Sequence, residues 1–247
     1  MDLAAADERS GLAVVSWSPG RAVVTSLAVG VSDAEIVTAI RGSDKAGIDS
    51  PLGWPAAFVS FVSAHADGVV TPPPPGEGSA WRRRLAYRLT DEVVRASTGL
   101  IPMSVSADRI GHAAFRAAGL LPLLAPSGVP LSRAGDDVVV EVYPAASLFC
   151  WGLTHRGYKR AGLASDLVSS LLAAAPWLSL GEFEALWRRS HDALDAVVAA
   201  LAARAAATGR ATKPTPEQRT TATSEGWIAL PTAPLVDLVD PRPPSDR

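Results

Sequence analysis

Residues 11–29 read GLAVVSWSPGRAVVTSLAV. Residues 12–16 and 22–29 are rich in β-branched and apolar side chains, and Ser18-Pro19-Gly20 between them supplies the geometry of a tight turn. The stretch predicts an antiparallel hairpin. Ser32-Asp33-Ala34-Glu35 then has capping-box spacing, a serine accepting from the third amide while a glutamate reaches back, and predicts a helix to about Ile40 that ends near Gly42. Residues 46–49 read as a strand, broken at Ser50-Pro51 because the residue before proline avoids helical backbone angles. With residues 2–5 as an opening strand, the order is β-β-β-α-β, which argues for a mixed α/β sheet with helices on its faces.

Outward from that core, helices are expected at 55–66, 81–96, 107–118, 161–174, 180–189 and 192–207, with a further strand at 138–142 stopped by Pro144. Thr71-Pro72-Pro73-Pro74-Pro75-Gly76 is a stiff extended spacer. In the last helix Leu194, Val197, Val198 and Leu201 form the apolar stripe and Gly209 the C-terminal cap. Residues 225–228 read as a short edge strand. The expected organisation is one domain over 1–231 with a helical insertion at about 55–135, and a disordered tail over 232–247.

The chain of 247 residues is 48% apolar and 19% charged, which places it among globular proteins with a substantial core. Its formal net charge of −2 gives no global pull toward nucleic acid, so such a substrate requires a local basic patch. Cys150 is the only cysteine, which rules out an internal disulfide and points to a reducing compartment. No leader and no membrane-spanning apolar run is visible, and the expectation is a soluble cytoplasmic protein.

The chemistry lies in the acids. Asp2 opens the chain's first strand, Asp49 closes the strand at 46–49, Glu141 ends the apolar run Val138-Val139-Val140, and Asp192 and Asp195 lie three apart on one face of the last helix. Phosphodiester hydrolysis needs an activated water and charge neutralisation at both attacking and leaving oxygens, which two hard cations held by carboxylates provide. The helix dipole alone accounts for Asp192 after Ser190. A turn accounts for Asp49 before Ser-Pro, and a solvated position accounts for Asp2. Asp195 beside the core stripe, and Glu141 behind three valines, are costly without a partner or a metal. Trp81-Arg82-Arg83-Arg84, with Arg88 and Arg95, is the one concentration of positive charge, suited either to phosphates or to a solvated face paired with Asp91 and Glu92. His65, His112, His155 and Cys150 show no zinc spacing, and His191 is accounted for by its place at a helix start. No P-loop and no dinucleotide fingerprint occurs.

Gly47-Ile48-Asp49-Ser50-Pro51-Leu52-Gly53, Arg88-Leu89-Thr90-Asp91, Glu141-Val142-Tyr143-Pro144-Ala145, Tyr158-Lys159, Asp192-Ala193-Leu194-Asp195-Ala196 and Glu225-Gly226-Trp227-Ile228 occur in this order. Together they resemble the domain-of-unknown-function family 429, whose members are described as predicted nucleases of the ribonuclease H-like fold. The resemblance runs from Asp2 to about Pro231. It implies a mixed five-stranded sheet with the first three strands antiparallel, helices on both faces, and site acids at Asp2, Asp49, Asp192 and Asp195, with Glu141 a family acid on the fifth strand. Arg88, Asp91, Tyr158 and Lys159 would line the site. Relatives carry several apolar residues and a glycine ahead of the first aspartate, so the expectation is a true start upstream of Met1.

The leading expectation is a metal-dependent phosphodiesterase, a nuclease, with Asp2, Asp49 and Asp195 on Mg²⁺ or Mn²⁺. Glu141 and Asp192 are further catalytic acids, and Arg82, Arg83, Arg84, Arg88 and Lys159 hold the nucleic-acid substrate. The rivals are a catalytically silent binding or scaffold protein of the same fold, and a phosphotransferase of the actin-like superfamily.

Overall fold

The hairpin forms as read: β1 (Gly11–Ser18) pairs antiparallel with β2 (Arg21–Val29), in a computed structural model that describes residues 1–125, 129–160 and 163–239. Ser32 caps α1 (Asp33–Arg41) with both arms of the box made, and α1 buries Ile36, Val37 and Ile40. Then β3 (Ala46–Ile48) pairs parallel with β4 (Val139–Glu141), Ile48 standing opposite Glu141.

The single five-stranded sheet does not form. β1 and β2 are joined by β5 (Leu178–Ser179), parallel to β2, while β3 and β4 make a separate two-stranded sheet. The reason lies at Asp2. Where a first strand is expected there is one residue, bridged antiparallel to Gly11 through two backbone bonds of 2.9 Å and parallel to Asp49. One residue joins the two sheets at a point but builds no ladder between them. Alongside, a cavity of about 540 Å³ opens between β1 and β3, lined by Met1, Leu12, Val14, Ser16, Ala46 and Gly47.

The insertion holds α2 (Ala56–Ala66), α3 (Gly78–Ala86), α4 (Leu89–Thr98) and α5 (Gly111–Leu124). The helix expected over 81–96 is therefore two helices, broken where Arg88 takes an extended conformation and Asp91 accepts from its backbone amide at 2.9 Å. The helix expected at 107–118 starts and ends later, as α5. Pro144 stops β4 and opens α6 (Pro144–Cys150), a position that suits a residue without an amide proton. After α7 (Leu163–Ala174), a 3-10 turn at Gly181–Phe183 leads into α8 (Glu184–Arg189).

α9 (His191–Ala207) is the spine of the larger core, packing Ala196, Val197, Val198 and Leu201 against β1, β2 and β3. Its approach depends on two glycines. A Cβ at Gly11 would stand 2.3 Å from the carbonyl oxygen of Asp192, and one at Gly47 2.5 Å from that of Ala199. Helix backbone thus rests on strand backbone, which carries the start of α9 to the strand ends. α10 (Pro216–Glu225) occupies the place expected to lead into an edge strand, of which only an Ile228–Glu141 bridge remains. Leu235–Val239, expected to fray, forms a 3-10 turn with Leu235 and Leu238 buried. The rest of the expected tail, 240–247, lies outside the described residues.

Candidate metal centre

Asp2 comes from the bridge between the sheets, Asp49 from the residue after β3, and Asp195 from the second turn of α9. Adjacent strands lie about 5 Å apart, and α9 crosses their ends closely. One carboxylate oxygen from each of the three acids consequently lies within 4.8 Å of the others.

Asp195 is fully buried. Its Oδ1 accepts from the Tyr158 hydroxyl at 2.8 Å, and its Oδ2 faces the Lys159 ammonium at 2.5 Å. Lys159 is half exposed (51%). Among the described residues, no donor is bonded to the carboxylate of Asp2 or of Asp49. Burial, then the charge of Asp195, pushes Asp2 up to about 7 from an ordinary 3.8. Burial raises Asp49 well above the usual carboxylate range, and Asp2 and Asp195 add to the rise. Burial also raises Asp195, against the opposing pull of Lys159 and Tyr158. Burial works against the charge of Lys159, but the three acids more than offset it and hold its proton tightly.

Three acids facing the Lys159 ammonium, with the Met1 amino group nearby, leave charge unmet. Such a cluster either keeps protons or takes up a cation. Its donors are all carboxylate oxygens, the hard set that suits Mg²⁺ or Mn²⁺. The residues fit the metal.

The other expected site residues are elsewhere. Asp192 lies next to the cluster, largely buried, and is engaged with Arg9 Nε at 3.2 Å and His191 Nδ1 at 2.7 Å. Glu141 does not join the three-acid cluster: it is buried, and both its oxygens accept from Arg88, at 2.7 and 2.8 Å. Arg88, expected to hold substrate, is itself buried and spent on Glu141 and on Asp91, 2.9 Å away. Arg83 pairs with Glu92 at 2.7 Å on the surface, while Arg82 and Arg84 are exposed on α3. Cys150, in α6, is partly buried and packs against the small apolar cluster of Val94, Leu100 and Ala146.

One hub was not apparent from residue order. The Glu225 carboxylate accepts from the Ala56 and Leu89 amides, each at 2.8 Å, so one side chain ties down the starts of α2 and α4. Its signal is the short Glu225-Gly226 motif, which carries no local pattern of its own.

In comparison with known proteins, the sequence model of one family, described as Protein of unknown function (DUF429), matches residues 1–219. No curated protein and no solved structure matches the chain.

Proposed function

This chain belongs to the DUF429 family, and on that footing we propose that it is a metal-dependent phosphodiesterase, a nuclease acting on nucleic acid, with Asp2, Asp49 and Asp195 as ligands to Mg²⁺ or Mn²⁺. The observation that carries the reading is the convergence of three carboxylate oxygens within 4.8 Å, two of the acids having no donor among the described residues. A divalent cation held there supplies an activated water and neutralises charge on the phosphate.

The chain's own residues do the rest. Tyr158 fixes Asp195 through Oδ1. Lys159, half exposed beside the cluster, is the cation in reach of a phosphate oxygen. Asp192, one turn from Asp195 and held by Arg9 and His191, is the acid assigned to orient water. Arg82 and Arg84 remain for more distant phosphates; Arg88 and Glu141 drop out of the chemistry. The order β5-β2-β1, then Asp2, then β3-β4 supports a ribonuclease H-like sheet whose first strand is reduced to the Asp2 bridge. The single cysteine supports the cytoplasmic location that the proposal includes.

Calorimetric titration with Mn²⁺ tests the reading. Wild type should bind, and Asp49→Ala and Asp195→Ala should each bind at least about ten-fold more weakly, the usual scale for losing a ligand or its support. Equal and negligible binding by all three proteins removes the metal centre. Binding by wild type with no cleavage across a panel of single-stranded, double-stranded and structured nucleic acids keeps the centre and removes the nuclease.

A further inference from the structure

We propose that Glu141 and Arg88 are positioning residues for Asp49: together they fix the loop that carries this acid and so set how well the three carboxylates converge. The inference rests on the reading of Asp49 as a metal ligand. With no donor bonded to its carboxylate, Asp49 is aimed by its backbone alone.

That backbone is gripped from two sides, by β4 and by the Glu141 side chain. Before Asp49, Ile48 pairs with Glu141 across the β3–β4 ladder, and the Val142 amide donates to the Ile48 carbonyl at 3.0 Å. Beyond Asp49, the chain turns through the buried residues Ser50, Pro51 and Leu52, and the Leu52 amide donates to Glu141 Oε2 at 3.0 Å. The β4 backbone therefore holds one end of the loop and the Glu141 side chain the other. The Asp49 amide itself donates to the Met1 carbonyl at 3.0 Å.

The Glu141 carboxylate cannot wander. Arg88 grips it with two nitrogens, a bidentate arrangement that fixes orientation as well as charge. Arg88 is in turn held by Asp91, at 2.9 and 3.2 Å, and by the Glu225 carbonyl at 3.1 Å. Gly226 forms the facing wall: a Cβ there would stand 2.7 Å from Glu141 Oε2 and 3.1 Å from Arg88 Nη1. Apolar side chains of similar volume would serve stability about as well as this ion pair. They could not accept the Leu52 amide.

Amide hydrogen exchange on the metal-free protein and Mn²⁺ titration, run on the same variants, test this. Glu141→Ala should speed exchange at Asp49 and Leu52 at least ten-fold while leaving Leu194 through Leu201 unchanged, and should weaken Mn²⁺ binding at least ten-fold. Glu141→Gln, which keeps an acceptor for Leu52, should recover most of both. Should Glu141→Ala fail to fold, the triple variant Arg88→Met/Asp91→Asn/Glu141→Leu removes all three charges together while keeping an acceptor for the residue-88 amide, and should show the same local loosening. Unchanged exchange at Asp49 and Leu52, or a rise shared equally with α9, overturns the inference. So does tight Mn²⁺ binding by Glu141→Ala when wild type also binds, and that result leaves the metal centre standing. Were wild type to bind no Mn²⁺, the metal reading would fall, and exchange alone would decide whether the pair fixes the loop.

Discussion

Two groups of acids, each with a fully buried member, flank the end of β3, and they are solved in opposite ways. Around Arg88, the carboxylates of Asp91 and Glu141 are buried to the last few percent, yet each accepts several hydrogen bonds and one guanidinium answers both. Around Asp195, three acids face the half-exposed ammonium of Lys159, and two of them have no donor among the described residues. Burial of acids is common to both groups, so burial does not identify a site. Carboxylates left without donors do. The closed group is built to hold a shape; the open one is where we propose that a cation binds.

Cutting the closed group should have the largest effect. Arg88→Ala leaves Glu141 and Asp91 facing each other in the interior with no cation, and about 3–5 kcal/mol of stability should be lost. Denaturant unfolding measures it. A loss below about 1 kcal/mol would mean that the group is wetter than the contacts indicate, and the contrast with the open cluster would collapse. Gly226→Ala strikes the same group more gently. Its Cβ would crowd Glu141 Oε2, and the position sits at φ +94, where side chains are strained. Roughly 1–3 kcal/mol should be lost, and crowding that pushes the carboxylate off the Leu52 amide should weaken Mn²⁺ binding as well.

Much of the fold was legible because its signals are local. The hairpin and the Ser32 cap are written within a few residues each, and Asp2, Asp49 and Asp195 were recognisable as acids at strand ends and on a helix beside the core stripe. Glu141 was sorted with them because a buried acid must be paired or metal-bound, and that rule does not say which. Its partner lay 53 residues away, inside a basic run that looked like a phosphate grip. Arg88 could not be told from Arg82 or Arg84 by composition. What separates it is the Asp91 carboxylate that caps its amide, breaks the helix there and turns the guanidinium inward. Thr215-Pro216-Glu217-Gln218 is a capping signal of the same kind as Ser32's and marks α10, a helix absent from the expected set. The split of the sheet is the least legible feature, since it depends on how many residues pair beside Asp2.

Acid should act on the open cluster, in the same sense as on Glu141, whose carboxyl burial also pushes up against the pull of Arg88. Asp2 sits at about 7 in the folded protein against an ordinary 3.8. Between those values the folded chain holds more protons than the unfolded one, so metal-free stability falls as pH rises. The Met1 amino group, pushed down to about 6 from 8.0 by burial, works in the opposite sense, but only above about 6. Glu35 and Glu217, held below 4.5 by capping bonds from Ser32 and Thr215, act only in more acidic solution. Between pH 6 and 4.5 the metal-free protein should therefore gain about 1–2 kcal/mol of stability as acid is added, and its melting midpoint should climb. Asp2→Asn should flatten the climb, and saturating Mn²⁺ should reverse it, because ligands must give up protons to bind. A metal-free midpoint that falls steadily over this interval would show that the acids are already ionised and neutralised.

The smallest change in stability should come from the residue that keeps the open cluster tolerable without metal. Lys159 meets Asp195 at 2.5 Å but is half exposed, so solvent screens the pair, and Lys159→Met should cost no more than about 1 kcal/mol. Its effect on cation binding should be clearer. The ammonium stands against Asp195 Oδ2, an oxygen a metal would use, so a metal arriving in the wild type must displace that contact or share it. Removing the ammonium removes the competitor, and Mn²⁺ should bind several-fold more tightly to Lys159→Met. Phosphodiester cleavage should nonetheless fall, since the same side chain is the cation in reach of the substrate. Tighter metal with weaker cleavage is an outcome that a purely structural lysine does not produce. Weaker metal binding in this variant would instead make Lys159 part of what shapes the centre, and the cluster around Asp195 would then resemble the one around Arg88 more than it differs from it.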